Sequence, residues 1–244
     1  MITLHFHPNW PHRGGMVIDS MAADGYYRSQ FSTGISNGGL TAFPGGDRWK
    51  WESRLFAGKY DDQPVLSRPV YGVWNRRADP YSAGIRFGSS YLRLKPETID
   101  RATFCFPDSA REATDVSDQL NLPRLCRAAD EATVDDLDDY IEAHIHGLVR
   151  LDTDVAAIVL DPSFAGTPVE AAARRLRCPV EFHPGFRARP DTFDPAYRGP
   201  DIVDLARSLA DELTPEILGR TARSGATQSI KYVWHYLARF GRTT

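Results

Sequence analysis

Segments with strand character crowd the first half of this chain without a helix between each pair. Residues 2–7 (ITLHFH), 26–33, 70–74, 85–94 and 102–106 combine β-branched and aromatic residues, in stretches bounded by turn-forming ones. A doubly wound sheet or a βα barrel needs strand and helix in regular alternation. That order is missing, and 244 residues are too few and too irregular for eight βα units. Helices are expected at 16–23, closed by Gly25, at 47–56 with Asp47 as N-cap, and as a short turn at Pro96 and Glu97. Residues 140–149 return to strand character, and a local βαβ pattern follows: strand 154–160, helix 168–176, strand 179–182. A proline- and arginine-bearing loop at 184–200 leads to three amphipathic helices, 202–213, 215–223 and 227–240. The expected fold class is α+β, a mixed or mainly antiparallel sheet core with a C-terminal helical extension. Residues 1–186 are expected to form the sheet-rich, catalytic-type domain, and 187–244 the extension packed on it.

Hydrophobic residues at 42% and charged residues at 25% exclude a disordered chain, a coiled coil and a collagen-like fibre. There is no apolar run of about 18 residues, so no membrane span is expected. MITLHFHPNW has no basic stretch ahead of an apolar one, so no secretory leader is expected either. A net charge of −3 gives no bulk attraction for nucleic acid. Cys105, Cys126 and Cys178 are widely spaced and in no CxxC pair, which fits a reducing, cytoplasmic setting. Basic residues are almost all arginine, the lysines being Lys50, Lys59, Lys95 and Lys231. Arginine suits bidentate contact with carboxylates and phosphates, although biased genomic composition produces the same pattern. Ten acids against two arginines between Glu112 and Glu142 are expected to form a mostly solvated helical surface.

Two HxH pairs carry the strongest chemical signal. His5 and His7 lie two apart on the first strand, so both imidazoles face one side. They fit a metal pair, a ligand-binding wall, or a hydrogen-bonded structural pair beside Pro8. Glu142, His144 and His146 share one face of a later strand, and three titratable groups on one face are costly to bury without partners. His183, before a proline–glycine turn, fits a turn residue. Ser36, Asn37, Gly38 and Gly39 form a loop whose backbone amides can cradle a phosphate or simply turn the chain. It is neither a Walker A loop nor GxGxxG. Its approach, 27–33, is polar and includes Tyr27 and Gln30. In RFGSSY, Gly88 points to a bulge or a close backbone approach; Ser89 and Tyr91 share a face, with Arg86 on the other unless a bulge intervenes. No GxSxG elbow occurs, so covalent catalysis is not indicated.

Taken together, HFHP, YRSQFSTGISNGG, GGDRWKWE, LFAGKYD, RPVYGVWN, FGSSYLRL, TFCFPDS and YIEAHIHG resemble a bacterial family catalogued as domain of unknown function 3626, over roughly residues 3–186. At greater distance the layout is similar to ADP-ribosyltransferases. Those enzymes place His or Arg on the first core strand, aromatic and hydroxyl residues on the following segment, and a catalytic Glu on a late strand. The resemblance implies His7 or His5, the 26–33 segment and Glu142 for these places. His144 stands where a second glutamate would complete an ExE pair, and Ser32-Thr33 departs from a full STS.

Three functions follow. The first is cleavage of the nicotinamide–ribose bond of NAD, with ADP-ribose passed to a protein, nucleic acid, small molecule or water. Here Glu142 and His7 are catalytic, and His5, Tyr27, Gln30, Ser36, Asn37, Gly38, Gly39, Arg86, Ser89, Tyr91 and His146 bind NAD; no metal is expected and His144 is a bystander. The second is a metal-dependent hydrolase holding zinc on His5, His7, His144 and His146. The third is a non-enzymatic nucleotide-binding module. None of the three calls for a membrane partner.

Overall fold

The computed structural model describes residues 1–34, 42–111, 113, 116–225 and 227–243. Seven strands form its central sheet: β1 (Ile2–Phe6), β2 (Val70–Trp74), β3 (Ser90–Leu94), β4 (Ala102–Cys105), β5 (Ile141–Ile145), β6 (Val155–Leu160) and β7 (Val180–Phe182). Their order is β7-β6-β3-β1-β2-β5-β4. Every pairing is antiparallel except β6 with β7. The helices are α1 (Val17–Asp24), α2 (Gln30–Thr33), α3 (Asp47–Leu55), α4 (Leu122–Glu131), α5 (Pro168–Ala173), α6 (Pro200–Leu209), α7 (Pro215–Ala222) and α8 (Thr227–Phe240). The class is α+β, and no described helix is long and apolar enough to cross a membrane.

Strand alternation gives the sheet two unlike faces. Leu4, Leu92, Leu94, Phe104, Ile141, Ala143, Ile145, Ile158 and Leu160 project to one side and join α1, α4 and α5 in the main core. The register puts Thr3 beside Val73, Val73 beside Glu142, Glu142 beside Cys105, and Tyr71 and Thr103 beside His144 on the other side. That second face is also buried, although it carries polar groups. α3 covers part of it: Glu52 accepts a hydrogen bond from the Tyr71 hydroxyl at 3.1 Å and forms a buried ion pair with Arg68.

The sheet forks between β1 and β2. These strands pair only at Ile2–Trp74 and Thr3–Val73, whereas β1 stays with β3 through Phe6 and β2 stays with β5 along its whole length. Gly72 sits at the branch. A Cβ there would lie 2.5 Å from the Thr3 carbonyl oxygen and 2.5 Å from a Leu4 methyl. Gly88 makes the close approach that its place in the sequence implies, since its Cβ would lie 2.3 Å from the Phe6 carbonyl carbon.

The C-terminal helices build a second apolar cluster with residues from the sheet-bearing part. Val233, Trp234 and Leu237 pack with Trp10, Tyr81, Ile85 and Phe186. Trp234 donates to the Ile85 carbonyl at 3.0 Å, and Asn9 donates to the Glu216 carbonyl at 3.0 Å. Gly219 presses so closely on the Asn9 side chain that no Cβ fits between them.

Several expectations need correction. Residues 26–33 are not a strand: Tyr26–Tyr27 form a two-residue ribbon with Val149–Arg150, and α2 follows. Residues 85–94 begin as a 3₁₀ turn, Ile85–Phe87, so the strand starts only at Ser90. Asp47 lies inside α3, and Gly46 is its N-cap. Among the described acids of the central stretch, only Asp130 and Glu131 are helical. Asp138 pairs with Arg86 and Arg111, and Asp139 with Arg76 and Arg77.

Gly72→Ala is expected to lower stability by about 1–3 kcal/mol through overpacking at the fork. The readout is a lower urea midpoint at unchanged slope. An unchanged midpoint would mean that β1 and β2 can part further without cost.

Candidate active site

A cavity of about 840 Å³ lies in the fork. β1 brings His5, and the chain just beyond it brings His7; β2 brings Tyr71 and Gly72, and β5 brings Glu142. Tyr27 and Gln30 line it from the segment after α1, Arg48 from α3, Arg86 from the 3₁₀ turn, and Lys231 and His235 from α8.

Glu142 is 8% exposed. Its Oε1 accepts from His144 Nε2 at 2.9 Å and from the Ser109 amide at 3.2 Å, with the Cys105 thiol at 3.7 Å. Burial pushes the carboxyl up, but the hydrogen bonds from His144 and the Ser109 amide, with the charge of the Arg48 guanidinium, outweigh it. The net result holds Glu142 below the ordinary glutamate value, so it faces the cavity as a carboxylate.

A line of hydrogen bonds runs behind this carboxylate. His144, fully buried, donates through Nε2, so its Nδ1 accepts from the Thr103 hydroxyl at 3.2 Å. Thr103 Oγ1 in turn accepts from His146 Nε2 at 3.0 Å, and His146 Nδ1 accepts from the Tyr60 hydroxyl at 2.6 Å. Each group donates once in the same direction, which sets both imidazole tautomers. Burial, helped by the charge of Lys59, pushes His146 down to about 4, in keeping with its neutral role.

His5 donates through Nδ1 to the Gly88 carbonyl at 3.2 Å. Burial pushes it down to about 3, and its Nε2 is buried without a partner. His7 stacks on Trp10 with ring centres 4.2 Å apart and meets the edge of Trp234. The Tyr27 hydroxyl donates to the His5 carbonyl at 3.1 Å. Gln30 Oε1 is buried without a partner among the described residues.

His5, His7, Tyr27, Gln30, Arg86 and Glu142 thus meet around one space, although they are scattered along the chain. Three other residues lie off its wall. The Ser89 carbonyl accepts from His183 at 2.8 Å, the Tyr91 hydroxyl donates to the Pro80 carbonyl at 2.8 Å, and His146 stands behind Glu142 in the hydrogen-bonded line. Ser36, Asn37, Gly38 and Gly39 lie outside the described residues. His144 is no bystander, because it donates to Glu142. The four histidines of the zinc reading do not converge. Among the described residues, the group within ligand reach of one another is Cys105, Glu142 and His144, their ligand atoms within 4.8 Å. There Nε2 of His144 already serves Glu142, and burial pushes the Cys105 thiol far up. Arg48, Lys231 and His235 escaped the sequence reading. The signal for the last two was a lysine and a histidine four apart within the apolar stretch IKYVWHYL.

The model of the family described as protein of unknown function (DUF3626) matches residues 1–129 and 114–240. The chain belongs to this family. The match runs through the C-terminal helices, well beyond the expected limit at 186. No curated protein matches the sequence. Three solved structures similar to this DUF3626 chain are of DarT from Thermus sp. 2.9. The complex with ADP-ribosylated ssDNA is 13% identical, with a TM-score of 0.47 over 75% of this chain and 93% of that one. The complex with NAD+ is 13% identical with a TM-score of 0.45, and that with carba-NAD+ 14% identical with 0.44, each over 75% of this chain and 94% of the other.

The buried neutral histidines set an acid limit on stability. His5, His146 and His235 titrate at about 3, 4 and 3 in the fold but near 6.5 when unfolded. The unfolded chain therefore binds more protons between these values, and stability is lost as pH falls below 6.5. Each such histidine contributes a slope of up to about 1.4 kcal/mol per pH unit. Urea midpoints at pH 7.5, 6.5 and 5.5 are expected to drop chiefly over the last interval. A flat profile down to pH 5 would show these rings to be hydrated.

Proposed function

We propose that the chain is an NAD-dependent ADP-ribosyltransferase. It breaks the bond between nicotinamide and the ribose C1′ of NAD and transfers ADP-ribose to an acceptor: protein, nucleic acid or small molecule. The observation that carries this reading is Glu142, an ionised carboxylate held by fixed donors on the wall of a cavity of ligand size. Ligand pockets run to about 300–1,000 Å³, which brackets the volume in the fork.

The chemistry asks for such a group. As the glycosidic bond stretches, its electron pair leaves with nicotinamide, and the ribose gains oxocarbenium-like positive charge. A preorganised carboxylate stabilises that charge and accepts from the 2′-hydroxyl. The acceptor nucleophile then bonds to C1′ and gives up its proton. Glu142 needs no reorganisation for this role, because His144 and Ser109 already hold it in place. Among the described residues, His5 offers an unpaired buried Nε2 as acceptor to a ribose hydroxyl, and Gln30 an unpaired amide oxygen as another acceptor. Tyr27, Arg86 and His7 complete the wall toward the rest of the dinucleotide.

Nicotinamide release, measured with metal content alongside, tests the reading. Glu142→Gln keeps the size of the side chain but loses its charge, and is expected to lower kcat by about 10²–10³ with little change in KM. His144→Ala is expected to lower kcat by about tenfold or more, since a hydrogen bond to a charged group contributes about 1.5–3 kcal/mol. Full activity of Glu142→Gln, or wild-type protein that binds NAD but releases no nicotinamide with any acceptor, removes the transferase reading. The second outcome would leave a nucleotide-binding module.

A further inference from the structure

We propose that α8 builds an anion subsite into the cavity, in which Lys231 and His235, with His7 facing them, receive a phosphate or diphosphate group of the ligand. Lys231 is 9% exposed and makes no hydrogen bond or ion pair among the described residues. His235 is 3% exposed, and both its ring nitrogens are buried without a partner among the described residues. The two side chains sit one turn apart on α8 and line the same cavity as Glu142.

The carboxylates on the same cavity wall, Glu142 and Asp24, already serve His144 and Arg28. The groups acting on Lys231, His235 and His7 are Arg86, Arg198, His5 and one another. Arg86 is itself satisfied by Asp138, so that carboxylate is already engaged. Burying an ammonium group without a counter-charge is costly, as is burying an imidazole with neither nitrogen bonded. Such a corner persists in a fold when something that binds there supplies the negative charge. Burial, followed by the charge of Arg86, brings Lys231 down to about 8, as expected of a cation lacking its partner. His7, its face stacked on Trp10, lines the same cavity.

A phosphate group fits this set better than a carboxylate. A compact ammonium is a strong point-charge partner for phosphate, and the two neutral imidazoles each offer one N–H to further oxygens. The assignment rests on the NAD reading only for the source of that phosphate. It can come from the dinucleotide itself or from a phosphorylated acceptor, and the probes separate the two.

Calorimetric titration of the full chain with inorganic pyrophosphate, ADP and NAD tests the subsite without requiring turnover. Lys231→Met is expected to weaken pyrophosphate and ADP at least tenfold, and Lys231→Arg to retain most of the affinity. Lys231→Met is also expected to unfold at higher urea than wild type, because it removes an unpaired buried charge. That gain separates loss of a ligand contact from loss of the fold. If NAD weakens in parallel with ADP, the subsite holds the dinucleotide. If pyrophosphate and ADP weaken while NAD does not, it holds the acceptor's phosphate. Equal pyrophosphate affinity in wild type and Lys231→Met, or no binding of any of the three probes to wild type, overturns the proposal. Lys231-dependent pyrophosphate binding without nicotinamide release would keep the subsite and sink only the transferase reading.

Discussion

The parting of β1 from β2 is the constraint on which the rest of this structure depends. Two adjacent strands normally stay paired, because each unpaired amide and carbonyl must find another partner. Here β1 follows β3 and β2 follows β5, so the sheet opens like a fork after Thr3. A glycine at the branch lets the two backbones touch before they separate. Without the fork, the buried polar face would be closed, with its histidines and glutamate sealed under helices. With it, one face of a packed sheet becomes the wall of a cavity.

The two faces divide the physical labour. The apolar face holds the fold together with α1, α4 and α5, in the ordinary manner of a helix-covered sheet. The polar face stores ordered charge. Glu142 stays ionised in a buried place because its donors are themselves held: Thr103 orients His144, His146 orients Thr103, and Tyr60 ends the line. On the same cavity, α8 contributes the Lys231 ammonium, which makes no ion pair among the described residues.

Much of the architecture was legible because short-range patterns govern it. The strand at 70–74 and the helix at 227–240 stand where β-branched and amphipathic spacing places them. Spacing by two put Glu142 with His144 on one face of β5, as strand period requires, and His7, though just past the end of β1, lines the same cavity as His5. The errors arose where tertiary contact overrides local preference. Residues 26–33 have strand-forming composition but turn into α2 beside the cavity. Residues 85–87 coil so that Gly88 can lie against β1. Gly72 reads as an ordinary strand glycine until the neighbouring strand is known. Lys231 and His235 were hidden in a helix whose apolar residues account for its packing. His7, which acts with them on the cavity, lies more than 200 positions earlier, and no periodicity reports on that.

The cavity is closed by segments from opposite ends of the sequence: Arg223, just before α8, donates to the Asn9 carbonyl beyond β1 across 214 positions. Translation proceeds in one direction, so β1 leaves the ribosome long before α8 exists. During that interval Trp10 lacks Trp234, and the cavity lacks the part of its wall that α8 supplies. Contacts this distant also form slowly, because the chain must lose the entropy of a large loop before they repay it. The wall of this cavity is therefore complete only after α8 has been made, and a product cut short before that helix would lack Lys231 and His235 from its lining.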